Sequence, residues 1–171
     1  MAATRLTPTS YVVLGLIEQM QPASPYDLKL AVAKGVGQFW SLPHTQLYAE
    51  CGRLAKAGML SERREEGGRR RRLYRLTGAG EQALEGWRSE PTSDLYELRD
   101  AGLLKLFFGA DPRKLAPQQL EAHEERLREY EAQLEECRRI NAPPGSIHAI
   151  EAGIGHEREY VRFWKRLGGG G

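Results

Sequence analysis

The feature that most constrains this chain is a change of hydrophobic period between residues 8 and 90. Three short segments with helical spacing are followed by a pair of alternating segments around two glycines, and then by another helical segment. The first segment runs from Pro8 to about Met20. Thr7 is placed to cap it, with Pro8 at the first helical position, and Val13, Leu16, Ile17 and Met20 fall at i, i+3, i+4 and i+7. Gln21-Pro22-Ala23 breaks it. Ser24-Pro25-Tyr26-Asp27 then offers a capping hydroxyl with a carboxylate three residues on, so a second helix is expected through Leu28, Ala31 and Val32 to Gly35 or Gly37. A third helix starts between Ser41 and His44, buries Leu47, Cys51 and Leu54, and ends at Gly58.

The period then shortens to two. Met59 to Arg64 and Arg71 to Leu76 read as strands joined at Glu65-Glu66-Gly67-Gly68. Thr77 caps a fourth helix, which carries Leu84 and Trp87 and stops before Pro91. Helix, helix, helix, hairpin, helix is the order of a winged helix-turn-helix.

Charge is distributed unevenly along the chain. Residues 1–90 hold 13 Lys and Arg against 9 Asp and Glu, whereas residues 91–171 hold 12 against 14. Arg63, Arg64, Arg69, Arg70, Arg71, Arg72 and Arg75 all belong to the hairpin. Consecutive arginines at a hairpin tip repel one another, and a polyanion relieves that repulsion. The opposing reading is a solvated loop softened by Glu62, Glu65 and Glu66. The outward face of the third helix offers Thr45, Gln46, Arg53 and Lys56, residue types that pair with base edges or phosphates. The N-terminus of a helix also favours a phosphate. For Tyr48 two readings stay open: a hydroxyl donated to a phosphate, or a ring half-buried against the second helix.

Several segments carry a combined pattern: Leu14-Gly15-Leu16-Ile17, Ser24-Pro25-Tyr26-Asp27-Leu28, Gln46-Leu47-Tyr48, Arg53-Leu54-Ala55-Lys56-Ala57-Gly58-Met59-Leu60, and Arg72-Leu73-Tyr74-Arg75-Leu76-Thr77-Gly78-Ala79-Gly80. Together they resemble the PadR family of bacterial transcriptional regulators. The resemblance implies a third helix in the DNA major groove and a wing on the backbone, with Thr45, Gln46 and Tyr48 as helix candidates and Arg72 as the wing candidate. Pro43-His44 departs from the small polar residues usual before the Leu-Tyr pair. Leu98-Arg99-Asp100 and the run from Leu103 to Gly109 are similar to the family's longer subgroup, which has a virulence-activator-type C-terminal domain.

In the second half, Asp94 to Gly109 reads as an apolar-rich helix, Asp111-Pro112 as a break, and Pro117 as the start of a helix reaching about Ile140. Leu120, His123, Leu127, Tyr130, Leu134 and Cys137 alternate steps of three and four, an a/d seam. The last helix, Ser146 to Leu167, shows Ile147, Ile150, Ile154, Val161 and Trp164 on one face. Helices this long need a partner surface, supplied within the chain or by a second copy. The expectation is a homodimer with Leu120, Leu127, Tyr130, Leu134 and Trp164 at the interface, so that two reading heads meet a palindrome in double-stranded DNA. Trp40, Trp87, Trp164, Phe107 and Phe108 could line a pocket for a small aromatic effector, although core packing is the stronger reading for most of them.

No enzyme is expected. His123-Glu124-Glu125-Arg126-Leu127 lacks the second histidine of a zinc-binding helix, and His148 and His156 are too far apart to chelate together. No phosphate-cradling glycine loop or nucleophile elbow occurs, and no metal or cofactor is called for. No apolar run approaches the roughly 18 residues of a membrane span, and Met1 to Tyr11 lacks the character of a signal peptide. Cys51 and Cys137 sit at apolar helical positions and suit a reducing compartment, so a cytoplasmic protein is expected. The sequence therefore reads as mainly α with a small β-hairpin: a winged helix-turn-helix over residues 1–90, a helical dimerisation and effector domain over 91–167, and a flexible glycine tail over 168–171. Its expected function is DNA-binding transcriptional regulation, as a repressor on a palindromic operator. The competing class is a helical adaptor that uses the winged fold for protein contacts.

Overall fold

The computed structural model describes residues 5–65, 70–95 and 97–169. Arg69, the Gly67-Gly68 turn and the end of the glycine tail lie outside the described residues. The chain divides into two compact units with the boundary after Asp94.

The first unit holds α1 (Pro8–Met20), α2 (Pro25–Lys34), a short 3-10 turn (Val36–Gln38), α3 (His44–Lys56), β1 (Leu60–Arg64), β2 (Arg72–Leu76) and α4 (Gly78–Ser89). Each start has a local cause. Ser24 Oγ accepts from Asp27 N at 3.3 Å, while Asp27 Oδ2 accepts from Ser24 N at 2.9 Å, a reciprocal box that satisfies donors at the head of α2. The Ser24 hydroxyl also donates to Asp27 Oδ2 at 2.7 Å, and this bond first, then that of the Ser24 N–H, holds the Asp27 carboxyl below the usual carboxylate range. The core joins Val13, Leu14 and Ile17 of α1, Leu28 and Val32 of α2, Leu47, Cys51 and Leu54 of α3, Leu60 and Tyr74 of the hairpin, and Leu84 of α4. Burial pushes the Cys51 thiol up to about 12, so this side chain behaves as a small hydrophobe.

β1 and β2 pair antiparallel with Leu60 opposite Leu76 and Arg64 opposite Arg72. A single bridge ties them to the α1–α2 corner: Ala23 N donates to Tyr74 O and Tyr74 N to Ala23 O, at 3.1 and 2.9 Å. The base of the hairpin is locked by Thr77, whose hydroxyl donates to Gly58 O at 2.7 Å and accepts from Gly80 N at 3.2 Å. Glycine is required at both ends of this lock. Gly58 has φ +77°, and a methyl group at Gly80 would run into the Met59 carbonyl.

The second unit holds α5 (Ala101–Phe107), α6 (Pro112–Arg139) and α7 (Pro144–Leu167). Two sequence expectations need correction. The helix expected over Asp94 to Gly109 is confined to α5, because Asp100 Oδ1 accepts from Gly102 N at 2.6 Å and Leu103 N at 3.0 Å and so acts as its N-cap. The long helix begins at Pro112 and not at Pro117. Asp111 caps it, accepting from Arg113 N at 3.0 Å, and Pro117 sits inside it. Pro117 and Arg113 are both exposed, so water can serve the carbonyl that the missing N–H would have reached.

α6 and α7 pack antiparallel. Arg138 pairs with Glu151 at 3.1 Å, Arg158 with Glu131 at 2.8 Å and Lys165 with Glu124 at 3.0 Å, so the pairs advance in opposite directions along the two helices. Between them Tyr130 meets Ile150 and Ile154, with Leu127, Leu134 and Cys137 packed alongside. The a/d seam expected to face a second copy is thus filled from within the chain, with Tyr130 buried in it, and Trp164 of α7 is buried as well. Leu120 is half-buried. His123 of the same seam reaches α7 directly, with Nδ1 2.6 Å from Glu157 Oε2.

The expectation that most of five large aromatic side chains pack in a core is also overturned. Trp164 is fully buried, whereas Trp40, Trp87, Phe107 and Phe108 are exposed. Trp87 stacks on Tyr11 with ring centroids 4.7 Å apart and an interplanar angle of 8°. Phe107 and Phe108 lie on the rim of a seven-residue helix too short to cover them. No helix among the described residues is long and apolar enough to cross a membrane.

Candidate nucleic-acid interface

α3 is amphipathic in a simple way. Leu47, Glu50, Cys51 and Leu54 face inward, and Thr45, Gln46, Tyr48, Ala49 and Lys56 are exposed. At 100° per residue, Thr45, Ala49, Gly52 and Lys56 form the centre line of the outer face, with Gln46 on one flank and Tyr48 on the other. Ala49 and Gly52 were missed in the sequence reading, although their spacing of four and seven from Thr45 is the signal that finds them. A side chain at Gly52 would meet nothing within 4 Å, so the helix surface is open at mid-face. Two small residues there let the helix come close to a partner, and the Ala49 methyl is a group that suits the methyl of a thymine. No side chain caps the N-terminus of α3, which begins after Pro43 and exposes His44, Thr45 and Gln46. Its first N–H groups are therefore available to an outside acceptor. Tyr48 keeps 49% of its surface exposed, so both of its readings stand.

Arg53 stands apart from this face. Its guanidinium donates to Glu50 at 2.8 and 2.5 Å, to Ser10 Oγ at 2.9 Å and to Arg5 O at 3.2 Å. The sequence reading of an outward contact residue is corrected to a clamp between α3 and α1. Buried Glu50 is the cause: a carboxylate removed from water needs its cation held in place. In turn Arg53, then Ser10, hold the Glu50 carboxyl below the usual carboxylate range against the opposing effect of burial.

The hairpin divides its arginines between two faces. Residues directly opposite in the ladder share a face, so Leu60, Glu62 and Arg64 lie with Leu76, Tyr74 and Arg72. On that face Glu62 Oε1 is 3.5 Å from Arg72 and 3.7 Å from Arg64, and Glu62 Oε2 accepts from the Tyr74 hydroxyl at 3.2 Å. The other face carries Ser61, Arg63, Leu73 and Arg75. Beyond the ladder, Glu65 N donates to Arg71 O at 3.0 Å, and the Glu65 carboxylate takes the Arg71 guanidinium with two bonds of 3.0 and 3.1 Å. Arg70 holds φ +44° at the end of the turn. Arg63, Arg70 and Arg75 have no carboxylate partner among the described residues.

Comparison with known proteins relates this unit to a family. The profile of the transcriptional regulator PadR-like family matches residues 13–86, which span α1 through most of α4. Over those residues the chain is similar to the PadR-like family of transcriptional regulators. Among curated PadR-like relatives, the negative transcriptional regulator PadR of Bacillus subtilis strain 168 is 32% identical over 102 residues, or 57% of this chain and 54% of that protein. The chain thus spans about half the length of that relative. The crystal structure of Bacillus subtilis PadR in complex with operator DNA is similar with a TM-score of 0.83 at 24% identity, covering 95% of this chain and 97% of that one. The PadR-like regulator BC1756 from Bacillus cereus gives a TM-score of 0.77 at 21% identity over 92% and 94% of the two chains. The Vibrio cholerae virulence activator AphA gives 0.65 at 20% identity over 94% and 96%. These structural likenesses extend the PadR-like fold across α5, α6 and α7, mainly α with one two-stranded hairpin. No group of three or more His, Cys, Asp and Glu side chains among the described residues is placed to hold a metal.

Proposed function

We propose that this chain is a DNA-binding transcriptional repressor that acts on double-stranded DNA as a homodimer. The observation that carries the reading is one combination: a polar, uncapped outer face on α3 and a hairpin dense in arginine, both within the segment matched by the PadR-like profile. Thr45, Gln46, Tyr48 and Lys56 are the helix contacts, and the arginines of the hairpin bring positive charge to the backbone. Arg53 supports the face from behind. That Bacillus subtilis PadR has been solved on operator DNA supports the mode of action, and the name of the curated relative, a negative regulator, supports repression.

Residues to about 90 read the DNA and those beyond dimerise. Leu95, Leu98, Leu104, Phe107 and Phe108 leave a large apolar surface exposed for a second copy. A small aromatic effector is the ligand class, supported by the structure of Bacillus subtilis PadR with p-coumaric acid. The protein works in the cytoplasm and catalyses no reaction.

Selection of bound duplexes from a random pool by the full chain tests this. Enrichment of a palindrome with half-sites about one helical turn apart, 34–36 Å, is expected. No enrichment together with no mobility shift at low salt refutes the reading.

A further inference from the structure

We infer that the wing contacts DNA phosphates through Arg63 and Arg75, while Glu65 keeps Arg71 out of that contact. The inference rests on the proposed function and refines it.

The ladder places Arg63 opposite Leu73 and Arg75 opposite Ser61, so the two arginines are diagonal neighbours on one exposed face. Neither has a carboxylate partner among the described residues. Two like charges set side by side repel in the free protein, and a phosphate between them removes that repulsion. Arg71 is different. It lies past Leu73 on the same side of β2, but Glu65 holds its guanidinium through two parallel hydrogen bonds, and the Glu65 N–H to Arg71 carbonyl bond fixes the two residues opposite each other. To reach a phosphate Arg71 must leave a carboxylate, and the anion left behind then faces the DNA. Counter-ion release follows the net charge delivered to the backbone. An arginine neutralised inside the wing therefore adds almost nothing to the salt dependence, however close it lies. The run of adjacent arginines, the most conspicuous feature of the sequence, is on this account partly silenced, and Arg63 and Arg75, one outside each end of it, do the binding.

The test measures affinity of the full-length chain for a random-sequence duplex across a salt series and compares slopes of log K against log salt. Arg63→Ala with Arg75→Ala is expected to flatten the slope by about 1.8, at roughly 0.9 per phosphate. Arg71→Ala is expected to leave it within about 0.3 of the parent, and Glu65→Gln to steepen it by about 0.9 by releasing Arg71. The decisive comparison is a cycle: in the Arg71→Ala background, Glu65→Gln should lose that effect. An equal effect of Glu65→Gln with and without Arg71 would mean that Glu65 acts only as bulk negative charge, and the inference falls. It also falls if Arg71→Ala flattens the slope as much as Arg63→Ala. A parent chain with no salt-dependent affinity for duplex DNA overturns the proposed function itself, and this inference with it.

Discussion

In the first unit Val13, Leu14, Ile17, Leu28, Leu47, Cys51 and Leu54 have no exposure at all where α1, α2 and α3 meet. In the second, the centre of the α6–α7 packing is Tyr130, Ile150 and Ile154, which keep 8%, 6% and 5%. The contrast comes from geometry. Three helices, a hairpin and a fourth helix approach the first core from several directions and close it. Two antiparallel helices share one stripe, and water reaches both edges of it. The second unit compensates with ion pairs across the helices, Arg138–Glu151, Arg158–Glu131 and Lys165–Glu124, all with substantial exposure. Such pairs contribute typically about 0–1 kcal/mol each, so they set the alignment of the helices more than their stability. The unit also leaves Leu104, Phe107 and Phe108 in solvent. The first unit closes its core from several sides, and the second closes a single stripe between two helices.

The largest expected effect tests the closed core against the open one. Leu54→Ala is expected to cost about 2–5 kcal/mol, the range for a large aliphatic side chain removed from a dense core. Ile154→Ala should cost distinctly less, because the α6–α7 stripe can relax and hydrate. Urea unfolding of the full chain, followed by a probe in each unit, measures both; equal losses would erase the distinction. Next comes the uncovered surface. Phe107→Ser with Phe108→Ser should weaken self-association at least tenfold in sedimentation, given about 1.5–3 kcal/mol for burying each such ring. A dimer of unchanged strength would move the interface elsewhere.

Smaller effects sharpen the account of the first unit. Gln46→Ala should leave the fold intact and relax sequence preference at one base position by about 1–3 kcal/mol, read from selected sites; an unchanged preference would remove Gln46 from the interface. The smallest effects concern caps and carboxylates. Ser24→Ala should cost about 1 kcal/mol. Glu50 and Asp27 are both held below the usual carboxylate range in the folded chain, by Arg53 and by Ser24 respectively. Their contribution is therefore fully present above that range, near pH 4, and is lost as the pH falls through their lower folded values. Acid unfolding that is unchanged in Glu50→Gln and Asp27→Asn would contradict this.

Much of the first unit was legible because its signals are local. Thr7-Pro8, Ser24-Pro25 and Thr77 mark helix starts by chemistry within one turn, and the switch from Leu47, Cys51 and Leu54 to the alternation about Leu73 and Tyr74 marks the hairpin. The outer face of α3 was legible in part: Thr45, Gln46 and Lys56 are exposed as expected, and helical spacing alone would have added Ala49 and Gly52. Those two carry no polar group, so a search for residues that pair with bases or phosphates passes over them. Arg53 was misassigned because its direction depends on Glu50 and Ser10, and Ser10 is distant in sequence.

In the second unit the sequence determined that α6 carries an apolar seam with a step of three and four. That pattern follows from helix geometry and is the same whichever surface covers it. Which surface covers it was decided only by the tertiary structure. The Asn141-Ala142-Pro143 connection turns the chain back, so that Ile150 and Ile154 of α7 reach Tyr130 at once, without the entropy of bringing two molecules together. The same reason separates the arginines of the wing. Their number was fixed by the sequence, but which of them pair with Glu62 and Glu65 depends on a strand register that only the folded hairpin defines.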